Sequence, residues 1–198
     1  MKSKKNTLLF ILLLTSVASQ AAEEVQGQIV YTDRTDSVTF LIPTGLSADS
    51  WKIEGMQNGI SYIDSHKKKH RLEPGDAVEF SFNYNGYEYR MVSHQVSTGS
   101  YGMYERHRFL LQIAGGRVKV FQYSGVTGSA GGVMPTKGRI YFLQRGDGQL
   151  EEPASLGFKK QMAEYFSDCP KLVGYIEDGE FKKKDLVELV TYYNKKCK

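Results

Sequence analysis

Four histidines are the first candidates for chemistry in this chain. His94 and His107 flank a segment that carries Ser97, Thr98, Ser100, Tyr101 and Tyr104, so a serine hydroxyl activated by an imidazole base is the reaction this stretch could support. Nucleophilic catalysis needs nucleophile, base and orienting group in contact, and spacing along a chain does not supply that contact. No glycine-x-serine-x-glycine elbow occurs. The segment reads first as a polar loop and second as the site of a hydrolase using His94 or His107.

His66 and His70 stand four apart in Ser-His-Lys-Lys-Lys-His. On a helix that spacing could hold a metal ion. The flanks read instead as strand and turn, where four residues span roughly 13 Å, and the three lysines between would repel a cation. The expectation is exposed turn histidines and no metal site. Gly125, Gly128, Gly131 and Gly132 lack the lysine-serine ending and following helix of a phosphate loop. The acid pairs Asp33/Asp36 and Glu151/Glu152 have no mark that sets them apart from surface charge, and a glycosidase needs two carboxylates at a defined separation in a cleft. No catalytic residue, metal ligand or cofactor is assigned from these motifs. The lysine runs 67–69 and 182–184 read as solvated surface, with anionic lipid or glycan as the alternative.

The best candidate for binding is aromatic. Phe80, Phe82 and Tyr84 alternate with polar residues, Asn85-Gly86 follows, and Tyr87, Tyr89 and Met91 alternate again. Asn-Gly favours a two-residue hairpin because both central positions need positive φ. That turn pairs Tyr84 with Tyr87, Phe82 with Tyr89 and Phe80 with Met91, on one face of the sheet. The face is expected to be core. If exposed, Phe82, Tyr84, Tyr87 and Tyr89 form a patch for a protein or envelope partner.

Strands and turns must position these residues. Val25 to Tyr31, Ser37 to Ile42, Trp51 to Met56 and Ile60 to Ile63 have β-branched, aromatic or alternating character. A second hairpin is expected at Arg108 to Tyr123 around Gly115-Gly116, and a further strand at Arg139 to Arg145. Ser124 to Gly138, rich in Gly, Ser and Thr, reads as a loop. Glycine-punctuated strands at this spacing predict an antiparallel β sandwich or small barrel. From Ser155 the apolar period becomes helical: Phe158, Met162, Tyr165 and Phe166 share a stripe. Pro170 suits a helix first turn, and Lys184 to Asn194 forms a further helix. The expected class is α+β, with a β-rich domain over 22–152 and a helical C-terminal segment over 153–198. The two cysteines, Cys169 and Cys197, fall at ends that an antiparallel helix pair brings together, as a disulfide requires.

The first 21 residues predict the compartment. Lys2, Lys4 and Lys5 precede an apolar run from Leu8 to Leu14, and Ser19-Gln20-Ala21 offers small residues to a signal peptidase. These are the three parts of a secretory signal, and the apolar run is about half of the roughly 20 residues that a spanning helix needs. Cleavage after Ala21 is expected, giving an exported chain, periplasmic or extracellular, with no transmembrane span. The 198-residue chain holds 26 basic and 22 acidic side chains, three of the lysines lie in that leader, and so 23 face 22 in the remainder. A nucleic-acid partner needs a basic surface, so none is expected. An oxidising compartment also favours the Cys169–Cys197 bridge. No feature of the sequence fixes an oligomeric state.

Phe158 to Val173, with its Asp168-Cys169-Pro170 step, and Tyr192-Tyr193-Asn194-Lys195-Lys196-Cys197 resemble the tail of an uncharacterised family of exported Bacteroidetes proteins. The family combines a β-rich N-terminal part with a helical tail carrying this Asp-Cys-Pro step and a terminal Tyr-Asn. The N-terminal half is similar in outline, with an opening strand and a hairpin after His70 to Asp76. The resemblance implies export, a β-then-α architecture and no catalytic residues. Together these readings point to an exported non-enzymatic envelope protein, a binding or interaction module, with an envelope hydrolase as the alternative.

Overall fold

The computed structural model describes residues 22–48, 51–97, 105–127 and 136–197. The leader, Thr98 to Tyr104 and the glycines between 128 and 132 lie outside them. Nine strands form a single antiparallel sheet in the order β4-β3-β2-β1-β5-β6-β7-β8-β9. They are β1 (Ala22–Val30), β2 (Thr35–Pro43), β3 (Ile60–Ile63), β4 (Lys69–Leu72), β5 (Glu79–Tyr84), β6 (Tyr87–Ser97), β7 (Glu105–Ala114), β8 (Val118–Thr127) and β9 (Thr136–Arg145). The β5–β6 hairpin has the register expected, with Tyr84 opposite Tyr87, Phe82 opposite Tyr89 and Phe80 opposite Met91. Asn85 and Gly86 both take positive φ, at 51° and 75°.

The class is α+β, but the sheet is neither a sandwich nor a closed barrel: its pairing runs unbroken from β4 to β9 and stops there. Both edges are blunted. A bridge between Leu143 and Glu151 covers part of β9, and β4 is four residues long and carries Lys69 and Arg71, devices that discourage edge-to-edge pairing.

The stretch Trp51 to Met56 forms helix α1 (Lys52–Gln57) instead of a strand. Six residues are too few to separate a period of two from one of 3.6, and tertiary packing decides. Ile53 and Met56 are buried with Phe40 and Phe80 in the main core. This helix also reveals the curvature of the sheet. It touches β3, β7 and β8, which in a flat sheet would place β3 and β8 roughly 29 Å apart at the usual strand spacing. A six-residue helix is only about 9 Å long. The sheet therefore coils, as twisted sheets do, and α1 plugs its concave side.

Where β7 and β8 splay, α1 supplies the missing partner. The two strands pair only between Leu111–Ala114 and Val120–Gln122. Beyond that, Gln57 Nε2 donates to the Gln122 carbonyl at 3.1 Å and the Ser124 amide donates to Gln57 Oε1 at 3.0 Å. The Gln57 side-chain amide thus stands in for a peptide group of the ladder. The stretch from Ser124 to Gly138, expected as a loop, is partly strand. Ser124 to Thr127 pairs with Thr136 to Arg139, because a ladder needs backbone partners and not apolar side chains.

The tail contains α2 (Phe158–Tyr165), α3 (Pro170–Asp178), a 3-10 turn (Lys183–Asp185) and α4 (Leu186–Lys196). Its apolar stripes, including Met162, Phe166, Ile176 and Leu189, close over Val118, Val120 and Leu143 in a second core. Cys169 and Cys197 form a disulfide with Cα atoms 5.6 Å apart. The neighbouring polar residues fix the tail to the sheet. Asp168 accepts from Arg117 at 2.9 Å and from the Tyr193 hydroxyl at 2.5 Å, and Arg145 lies 3.3 Å away. Burial opposes its charge, yet Tyr193 and Arg145 hold the Asp168 carboxyl below the usual range. Asn194 bonds the Val118 amide and the Gly115 and Val118 carbonyls. A Cβ at Gly116 would lie 2.6 Å from Asn194, so a glycine is required where this contact forms.

Candidate functional site

The aromatic hairpin face is core. Phe82 and Tyr89 are 3% and 2% exposed, stacked on each other at 5.2 Å and set against Phe40. Tyr84 and Tyr87 are half-buried at its rim, and the Tyr84 hydroxyl donates to Glu23 at 2.9 Å. The coil of the sheet turns this face inward, so Phe82 and Tyr89 offer no surface to a partner.

The histidines separate into different environments. His94 projects from the opposite face of β6, lies edge-on to Phe121 at 4.6 Å and pairs across the ladder with Arg108. Its Nε2 is buried without a hydrogen-bond partner. Burial, and then the charge of Lys119, push the imidazole down to about 4, so it is neutral near pH 7, and no serine or carboxylate is bonded to it among the described residues. His107 is exposed and lines an open cleft of about 540 Å³ with Asp33, Asp76 and Ser93. The Ser93 hydroxyl accepts the Gly75 amide at 3.0 Å, and no bond joins it to His107 among the described residues.

His70 takes part in a side-chain array that the sequence did not announce. Its Nε2 is 2.8 Å from Asp64 Oδ2, and its ring stacks on Tyr62 at 5.2 Å. Asp64 Oδ1 accepts the His66 and Lys68 amides, each at 2.9 Å. The Lys68 amide first, and His70 next, hold its carboxyl below the ordinary range. Burial pushes the Tyr62 phenol up to about 12, helped by the neighbouring Tyr31 hydroxyl. Arg34 lies 4.0 Å over the Tyr31 ring and bonds Asp36 at 3.2 Å. Arg34, Tyr31, Tyr62, His70 and Asp64 thus form a connected series along one wall.

Strand lengths create the space they line. β3 pairs only with Thr39 to Leu41 of β2, so the edge of β2 from Thr35 to Val38 opens into a cleft of about 520 Å³. Ser37 also borders a cleft of about 450 Å³ beside Gln26, Gln28, Ser81 and Asn83. Tyr31 and Arg34 border the His107 cleft as well. The three clefts thus share wall residues around the β1–β2 turn. Among the described residues no group of three or more His, Cys, Asp or Glu side chains is placed to hold a metal ion, and no helix is long and apolar enough to cross a membrane.

Comparison with protein-family models, with curated proteins and with solved structures gave no match for this chain.

Proposed function

We propose that this protein is an exported, non-catalytic binding module of the cell envelope, and that it docks its partner in the groove around the β1–β2 turn. One observation carries the reading: the series Arg34, Tyr31, Tyr62, His70 and Asp64 lines an open cleft whose floor is an unpaired strand edge. Half-buried aromatic surface with a few convergent polar groups is the usual make-up of a ligand site. The disulfide supports an oxidising compartment, as do the signal-like leader and the resemblance of the tail to exported proteins. The hydrolase alternative has weaker support, because His94 faces a phenylalanine ring and His107 has no bonded serine or carboxylate among the described residues.

Two experiments test the reading. Fractionation of cells making the full-length chain, with N-terminal sequencing, should place it outside the cytoplasm and beginning at Ala22. Amide chemical shifts recorded while envelope extract is added should move at Tyr31, Ser37 and Tyr62. Shifts confined to the helical tail, or none, would remove the groove from consideration.

A further inference from the structure

We propose that the ligand of this groove is a basic peptide segment of a partner protein, bound as an added strand on the open edge of β2. The inference rests on the groove being the docking site, and it adds the ligand chemistry and the way the ligand is held.

Backbone geometry supplies the first argument. The Tyr31 amide donates to the Arg34 carbonyl at 2.8 Å, so Arg34 turns its backbone groups towards β1, and Asp36 and Val38 follow it at a period of two. Thr35 and Ser37 turn theirs the other way, as Thr39 and Leu41 do towards β3. The register of β3 stops at Ile63 opposite Thr39, and the chain then folds back through backbone bonds among Asp64, Lys67 and Lys68. The outward N–H and C=O groups of Thr35 and Ser37 therefore meet no strand among the described residues. Both residues are exposed, and the cleft of about 520 Å³ lies along them. An extended peptide placed in line with β3 satisfies these groups, which is how peptides add to sheet edges.

Charge selects the peptide. Apart from histidines, the two clefts that border Tyr31 and Arg34 carry the carboxylates of Asp33, Asp36, Asp64 and Asp76 against the guanidinium of Arg34. Lys67, Lys68 and Lys69 line neither cleft. Strand alternation puts the ligand residue opposite Asp36 on the face that Asp36 shares with Phe40, Tyr62 and His70. An arginine or lysine there meets the Asp36 carboxylate and the half-buried Tyr62 ring. The same wall already holds a guanidinium, since Arg34 lies over Tyr31 at 4.0 Å and bonds Asp36. A second copy of this chain is a poorer occupant: two such edges meeting about Asp36 set like charges opposite each other, which destabilises a strand pair.

The test titrates the full chain calorimetrically with end-blocked peptides: Thr-Arg-Thr-Arg-Thr-Arg-Thr, and the same sequence with Gln or with Glu in place of Arg. The arginine peptide should bind about tenfold tighter than the glutamine peptide, weaken with added salt and slow hydrogen exchange at the Thr35 and Ser37 amides, and the glutamate peptide should bind worst. Ser37→Pro removes an outward amide and leaves the β1 ladder intact, so it should weaken the arginine peptide about tenfold with the melting temperature unchanged. An arginine peptide N-methylated on its threonines makes the same check on the unaltered protein, and it should bind as weakly. Equal binding of the glutamine or glutamate peptide overturns the basic requirement, and equal binding of the N-methylated peptide overturns strand addition. A dimer in sedimentation that Ser37→Pro dissociates would make a second copy the occupant and overturn the inference, as would binding of none of the peptides. The docking reading itself fails only if envelope extract moves no groove resonance either.

Discussion

At the residue scale, burial governs what His94 can do. Its folded pKa is pushed from 6.5 to about 4, by burial and by Lys119. Between those values the unfolded chain holds a proton that the folded chain refuses, so stability rises with pH across that window. The stabilisation is complete above pH 6.5, is lost as pH falls towards 4, and levels off below. The difference amounts to roughly 3 kcal/mol at 1.36 kcal/mol per pKa unit. His94→Phe, which keeps an aromatic ring against Phe121, should lose less stability between pH 7 and pH 4.5 than the parent, as urea midpoints would show. A parallel decline in both proteins would mean that His94 is not the group responsible. Phe82 is a second case. A core role predicts that Phe82→Ala costs about 3–5 kcal/mol, whereas loss from an exposed patch would leave the denaturation midpoint almost unchanged.

At the element scale, the junction of α1 with β8 is the critical contact. Gln57 is fully buried and closes the ladder that β7 leaves open. Gln57→Ala strands a buried carbonyl on Gln122 and a buried amide on Ser124, and unsatisfied groups of this kind cost about 1–3 kcal/mol each. A chemical denaturation curve checks the sum, and hydrogen exchange should quicken at Ser124 before other β8 amides. This contact was not legible in the sequence, because α1 spans six residues whose apolar pattern fits a strand equally well and because the meaning of Gln57 depends on a strand 65 positions away. The β5–β6 hairpin was legible to the residue: Asn85-Gly86 fixes a two-residue turn and the alternation leaves one register. The tail helices were legible too, since their stripes are long enough to show a 3.6 period. The Asp168-Cys169-Pro170 and Tyr193-Asn194 motifs were visible as patterns, but their work of clamping Arg117, Arg145 and the Gly115–Val118 turn needed the fold.

At the scale of the whole molecule, the tail closes the second core and the disulfide holds it there. The bridge closes a loop with a sequence separation of 28, for which the chain-entropy model gives on the order of 3–4 kcal/mol. Reduction should add about two daltons, one proton per thiol, and should lower the melting temperature measurably; an unreduced mass equal to the reduced mass would contradict the bridge. The candidate site belongs to this scale as well, which is why sequence reasoning missed it. Tyr31 and Tyr62 are 31 positions apart and meet only because the sheet order sets β3 beside β2 and β2 beside β1. The aromatic run that did stand out forms the core, since coiling turns it inward. The most direct test of the docking groove is photocrosslinking in intact envelopes from two positions of the full-length protein: Thr35, exposed in the groove, and Glu177, exposed on α3. A discrete adduct from Thr35 and none from Glu177 is the predicted result; the same adducts from both positions, or none from Thr35, would contradict it.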